Sequence, residues 1–118
     1  RQHNHTRLCV VDPEDSVFYE CFQTRDRSVT LQPKEHGGRA GSRIEGIGRP
    51  RVEPSFRPDV IDRMQRVPDA ASLAAMRFLR NLLGPTGPVP GASTGTNMYG
   101  CMTLIDEMRG RGEGGTSI

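Results

Sequence analysis

The stretch from Asp69 to Pro85, DAASLAAMRFLRNLLGP, decides the reading of the fold. Good helix formers (Ala, Leu, Met, Arg) dominate Ala70 to Leu83, and Leu73, Met76, Leu79 and Leu83 recur at the three-to-four spacing of one helical face. Asp69 has a side chain suited to capping the start, and Gly84-Pro85 stops the run. A helix over 70–83 is therefore predicted. Beyond the turn-rich connector Pro85-Thr86-Gly87-Pro88-Val89-Pro90, a second helix is predicted from Thr96 to Arg109, with Met98, Met102, Ile105 and Met108 facing a core. Gly110 to Gly115 ends it, and Thr116-Ser117-Ile118 reads as the start of a strand.

Toward the other end, Arg7-Leu8-Cys9-Val10-Val11 is a short apolar run closed by Asp12-Pro13, the pattern of a strand buried in a parallel sheet. Val17 to Phe22 suits a strand or a helical turn equally well. Residues 24–43 are polar, carry Gly37-Gly38 and Gly41, and read as one long loop. Ile44-Glu45-Gly46-Ile47-Gly48 is the next apolar island, and Pro50, Pro54 and Pro58 break the stretch between Gly48 and Asp59. Asp59 to Arg66 suits one or two helical turns. Helices between short apolar strands make the class α/β, in a single partial domain over 1–118.

Composition sets the outer limits. A chain of 118 residues has room for one modest core, and its net charge of +2 gives no reason to expand. Gly and Pro together make up 23 residues, so much of the chain is loop. No run approaches the ~18 apolar residues of a membrane span, and Arg1-Gln2-His3-Asn4-His5 has no apolar signal core. Cys9, Cys21 and Cys101 lack scaffold spacing and read as reduced thiols, so a cytoplasmic protein with no membrane partner is expected. The basic residues are 15 Arg and the single Lys34. Interleaving with carboxylates, as in Arg25-Asp26-Arg27, reads as a mixed-sign surface rather than a nucleic-acid face, and no nucleic-acid partner is expected.

Several strings imitate known sites. Gly110, Gly112 and Gly115 match the dinucleotide fingerprint, but that fingerprint follows a strand and opens a helix, whereas this one follows a helix. Gly41 and Gly46 have phosphate-loop separation, yet Ile47 stands where a lysine is needed. No CxxC or HExxH occurs, so no metal site is expected, and His3 and His5 read as solvated. Gly91-Ala92-Ser93-Thr94-Gly95 is a literal nucleophile elbow, but prolines rather than a strand precede it, and the last histidine, His36, lies upstream. A serine hydrolase built on Ser93 is thus an alternative reading. So are a fragment without independent function and a small Arg-rich binding module around Arg109-Gly110-Arg111-Gly112.

A serine in a glycine-flanked turn that opens a helix has another use: its hydroxyl can donate a hydrogen bond to a neutral ring nitrogen. In that light, Ile44-Glu45-Gly46-Ile47-Gly48, then Val67-Pro68-Asp69 with Arg77-Phe78-Leu79 and Gly84, then Gly91-Ala92-Ser93-Thr94-Gly95, resemble in order and spacing the carboxyl-terminal portion of the cysteine synthase and cystathionine β-synthase family. These are fold-type II pyridoxal-phosphate enzymes. Val10-Val11-Asp12-Pro13 is similar to the strand that comes after the family's phosphate-loop helix. The resemblance covers residues 7–118. Ser42 to Pro54 and Ser93-Thr94-Gly95-Thr96-Asn97 look most like a bacterial cysteine desulfhydrase-like branch.

The resemblance implies part of a three-layer α/β/α fold with a mostly parallel sheet, incomplete in this chain. It implies pyridoxal 5'-phosphate as cofactor, Ser93 bonded to its pyridine nitrogen, and Gly46, Ile47 and Gly48 lining the substrate side. The parent would carry out β-elimination or β-replacement on a small amino acid of cysteine or O-acetylserine type, releasing sulfide, pyruvate and ammonia when it eliminates, and would act as a homodimer. The connector from Gly84 to Gly91 is about three residues longer than the family pattern. The Schiff-base lysine and the Gly-rich phosphate loop of the family fall before the matched region, and Lys34 matches no family lysine. No catalytic residue is therefore assigned in this chain, which is expected to be inactive alone, as a fragment beginning after that loop.

Overall fold

A computed structural model describes residues 6–32 and 41–115. His3, His5, Lys34, His36, part of the 24–43 loop and Thr116-Ser117-Ile118 lie outside the described residues. The chain divides into two compact units, Arg1–Arg66 and Val67–Ile118, each with α/β or helical elements of its own.

In the first unit, β1 (Cys9–Pro13) is followed by α1 (Phe18–Thr24), a single 3₁₀ turn (Pro58–Val60) and β2 (Arg63–Val67), which runs onto the unit boundary. β1 and β2 form a small two-stranded parallel sheet. Their starts meet: the Leu8 carbonyl accepts hydrogen bonds from the Asp62 and Arg63 backbone N–H groups, and the Leu8 N–H donates to the Asp62 carboxylate at 2.7 Å.

Two expectations change here. The strand begins at Cys9 and runs through Asp12 and Pro13 instead of stopping at Val11. Pro13 is its last residue, where a missing N–H costs no interior ladder bond. Residues 63–67 are a strand, not a helical turn, because pairing with Leu8 and burial of Met64 outweigh local preference.

The open question at Val17 to Phe22 is answered by a helix. It ends at Arg25, which sits in the left-handed region at φ 61 while its N–H bonds to the Cys21 carbonyl at 2.8 Å. The core of the unit is Cys21, Phe56 and Met64, with Val10, Phe18, Tyr19, Phe22, Val52 and Ile61 against it. Phe18 and Phe56 stack with centroids 4.1 Å apart. Phe56 belongs to the proline-broken stretch, so that stretch is part of the core and not idle loop. Arg27 secures it by donating to the Phe56 carbonyl at 3.0 Å and the Glu53 carbonyl at 2.8 Å.

The second unit is a helix pair, α2 (Asp69–Leu83) packed on α3 (Ala92–Gly110). α2 matches the predicted span, but Pro68 holds the N-cap position and Asp69 falls in the first turn, where a carboxylate favours the helix dipole. Gly84, at φ 75, closes α2 by donating to the Arg80 carbonyl.

The seam is made of small residues. Ser72 and Ala75 are the buried residues of α2, and Gly95, Thr96 and Gly100 those of α3. The apolar stripes of both helices are largely uncovered, as expected for a partial domain: Leu73, Leu83, Met102 and Ile105 are exposed, and Met76, Leu79, Met98 and Met108 only half-buried. Close approach of the backbones at Gly95 selects the small-residue faces and turns much of the larger side-chain surface outward.

Candidate functional site

Gly46-Ile47-Gly48 lies in the first unit as a turn with two residues in the left-handed region, Gly46 at φ 86 and Gly48 at φ 76. Gly46 is exposed, whereas Ile47 and Gly48 are half-buried. At Gly48 both conformation and space demand glycine. An added Cβ would lie 2.6 Å from Ser42 Cβ, 2.9 Å from Ser42 N and 3.1 Å from the Asp15 carbonyl.

The exit of the turn is tied to the segment after β1. The Arg49 N–H donates to Ser16 Oγ at 3.2 Å, and the Val17 N–H donates to the Arg49 carbonyl at 3.0 Å. The Ser16 oxygen also accepts the Phe18 N–H at 3.4 Å. Ser42 Oγ accepts the Ile44 N–H at 3.0 Å, which shapes the entry.

Asp12, at the carboxyl end of β1, is buried, and Ser16, the Gly48 N–H and Arg49 are the polar groups that favour its carboxylate. Burial raises its pKa above the ordinary carboxylate value, while those polar groups and the Arg49 charge pull it back in part. In the sequence, Asp12-Pro13 reads only as the stop of a strand. The signal that distinguishes Asp12 is its spacing from Ser16, a carboxylate and a hydroxyl four residues apart at a strand exit.

Ser93 lies in the second unit, in the first turn of α3 behind an extended Gly91 at the N-cap. The helix therefore starts at Ala92, four residues before the expected Thr96, and Gly95 is a packing residue inside it. Ser93 is exposed, and its hydroxyl has no hydrogen-bond partner among the described residues. No acidic residue occupies the first turn. An unengaged hydroxyl beside free helix N–H groups is suited to meet an acceptor that carries no positive charge, such as an unprotonated ring nitrogen.

A nucleophile elbow needs a strand before its serine. Here Gly84 to Gly91 is irregular, so the geometry does not favour a hydrolase. The described residues contain no group of three His, Cys, Asp or Glu placed to hold a metal, and no helix among them is long and apolar enough to cross a membrane. In the Arg-Gly stretch, Arg111 is held by Glu113 at 2.8 Å.

The first unit thus carries a small parallel sheet and a tight glycine turn, and the second a helix pair whose α3 starts at Ala92, so the chain is of α/β class. The chain is similar to the L-cysteine desulfhydrase Cds1 of Mycobacterium tuberculosis, with 48% identity over 113 residues, or 96% of this chain. It spans 28% of that relative's length. The match agrees with the resemblance to a cysteine desulfhydrase-like branch and is consistent with a fragment of a cysteine synthase-like enzyme. No protein-family model matches the chain. No solved structure matches it.

Proposed function

We propose that this chain is a piece of a fold-type II pyridoxal-phosphate lyase, a cytoplasmic homodimer that removes the β-substituent of cysteine-type amino acids. β-Elimination yields sulfide, pyruvate and ammonia, and β-replacement with an O-acetylserine-type substrate is the neighbouring chemistry. The observation that carries this reading is the 48% identity, spread over 96% of the chain, to a protein named for cysteine desulfhydration.

The donor set fits in part. Ser93 offers a hydroxyl donor for the pyridine nitrogen, and no lysine occurs among the described residues. When bound, pyridoxal phosphate supplies the electron sink for loss of the β-substituent. The chain's own residues tune and position. Ser93 donates one hydrogen bond and, being an alcohol, does not stabilise a protonated ring as a carboxylate would. That leaves a weaker sink, suited to prompt expulsion of a leaving group. Gly46, Ile47 and Gly48 present backbone to the substrate, the glycines allowing close approach.

The test is made in the full-length protein by substituting Ser93 and following cofactor absorbance together with sulfide release from L-cysteine. Ser93→Ala should keep the cofactor bound and lower turnover by about tenfold to a hundredfold, the effect of one lost hydrogen bond to a buried polar group. Ser93→Asp should shift the absorbance by favouring the protonated ring. If neither variant changes either quantity, Ser93 is not at the ring. Loss of an esterase activity in Ser93→Ala, with the absorbance untouched, would establish the hydrolase alternative instead.

A further inference from the structure

We propose that Ser16 is a positioning residue, whose buried hydroxyl fastens the neck of the loop 41–49 at Arg49 and so fixes where Gly46-Ile47-Gly48 is presented. The proposal rests on the reading of the chain as part of a cysteine-processing lyase, which puts that turn beside the substrate.

The loop closes on itself. Gly41 is buried at φ 102, so near the far end that an added Cβ would lie 3.1 Å from the Gly48 carbonyl oxygen. Gly48 is pressed in turn against Ser42 and the Asp15 carbonyl. Compact loops whose ends meet in this way are packed by their own side chains. Ile44 is the buried side chain here, while Glu45 and Gly46 stand exposed at the tip.

The segment after β1 grips that neck. The Arg49 N–H donates to Ser16 Oγ at 3.2 Å and the Arg49 carbonyl accepts the Val17 N–H at 3.0 Å, so both backbone groups of Arg49 are held. The Phe18 N–H reaches the same Ser16 oxygen at 3.4 Å, which engages its second acceptor position and ties it to the start of α1. Ser42 Oγ, by contrast, takes an N–H two residues away and shapes only its own turn, whereas Ser16 reaches across 33 positions. A buried hydroxyl is costly unless bonded, and the partner of this one, only 6% exposed, is a loop remote in sequence. Its place is apt as well, since open α/β sheets take their ligands beyond the carboxyl ends of strands, and Ser16 lies just past the end of β1 at Pro13.

The experiment uses the full-length protein loaded with pyridoxal phosphate and the variants Ser16→Ala and Ser72→Ala. Two quantities are read: residue-resolved amide hydrogen exchange over 41–49, and kcat and KM for sulfide release from L-cysteine. In wild type the Arg49 amide should exchange at least about tenfold more slowly than in an unstructured peptide. Ser16→Ala removes the acceptor at nearly the same volume, and exchange at Arg49 should quicken by about tenfold. KM should rise by about fivefold to twentyfold while kcat stays within about twofold and the cofactor absorbance is unchanged, the pattern of lost binding rather than lost chemistry. Ser72→Ala removes a buried serine hydroxyl from the helix pair and should leave exchange over 41–49 as in wild type.

An unprotected Arg49 amide in wild type would overturn the hold of Ser16 on the loop, and this measurement stands even if Ser16→Ala fails to fold. Wild-type exchange in Ser16→Ala, or equally quick exchange in Ser72→Ala, would overturn it as well, whatever the activity. Faster exchange in Ser16→Ala with an unchanged KM would overturn its service to the substrate. A wild-type protein that releases no sulfide would remove the functional reading and the substrate half of the proposal, and the exchange result would still decide the hold on Arg49.

Discussion

The Thr96 hydroxyl donates to the Ser72 hydroxyl across 2.7 Å in the seam between α2 and α3, and both side chains are buried. One residue before it, Gly95 meets the Ser72 carbonyl so closely that a Cβ would collide with it, and would lie 2.9 Å from Met76 N. The seam therefore combines a backbone contact with a polar pair.

Thr96→Val keeps the volume but leaves the Ser72 hydroxyl without this partner in a buried place. Stability should fall by about 1–3 kcal/mol, read from urea midpoints of the intact protein. Ser72→Ala should cost a comparable amount. The double variant should cost less than the two singles added, because the second change removes a group already left unpaired.

Gly95→Ala should destabilise by about 1–3 kcal/mol, since the colliding atom is a backbone carbonyl that cannot swing aside. Gly110→Ala is the matched control: a Cβ there meets nothing within 4 Å. It should be neutral or stabilising by up to about 1 kcal/mol through helix propensity. Equal effects of the two changes would rule out the close seam.

Two glycines of the candidate turn should respond differently. Gly46→Ala carries only the conformational cost of a left-handed backbone, about 1–2 kcal/mol, because nothing lies within 4 Å of its Cβ position. Gly48→Ala adds a collision with Ser42 and should cost about 1–3 kcal/mol more. Thermal unfolding of both variants beside wild type checks the order.

Asp12 should leave a pH signature. Its folded pKa is raised above the ordinary 3.8, chiefly by burial. Between the unfolded and folded values the native state holds more protons, so the stability that Asp12 contributes at low pH is lost as pH rises through the folded value. Asp12→Asn escapes that loss. Its stability relative to wild type should increase from about pH 4 upward and level off above the folded pKa. Urea midpoints at a series of pH values measure this, and a relative stability that falls with pH would show the carboxylate to be favoured in the fold.

Local chemistry in the sequence was enough for part of this structure. The helix at 69–83 arises from helix-forming residues closed by Gly84, and the strand near Val10 from an apolar run, because both depend on neighbours in the chain. The order of Gly46, Ile47, Gly48 and the Ser93 turn, together with the upstream strand, likewise carried the resemblance that the curated relative matches. Tertiary contacts decided the rest. Met64 became a strand residue because Leu8, more than fifty positions away, supplied its partner backbone. Gly95 sits inside α3 against the Ser72 carbonyl, an approach that no Cβ allows and that the spacing of apolar residues does not reveal. Ser16 met the Arg49 backbone through folding across 33 positions, a juxtaposition that local sequence does not encode.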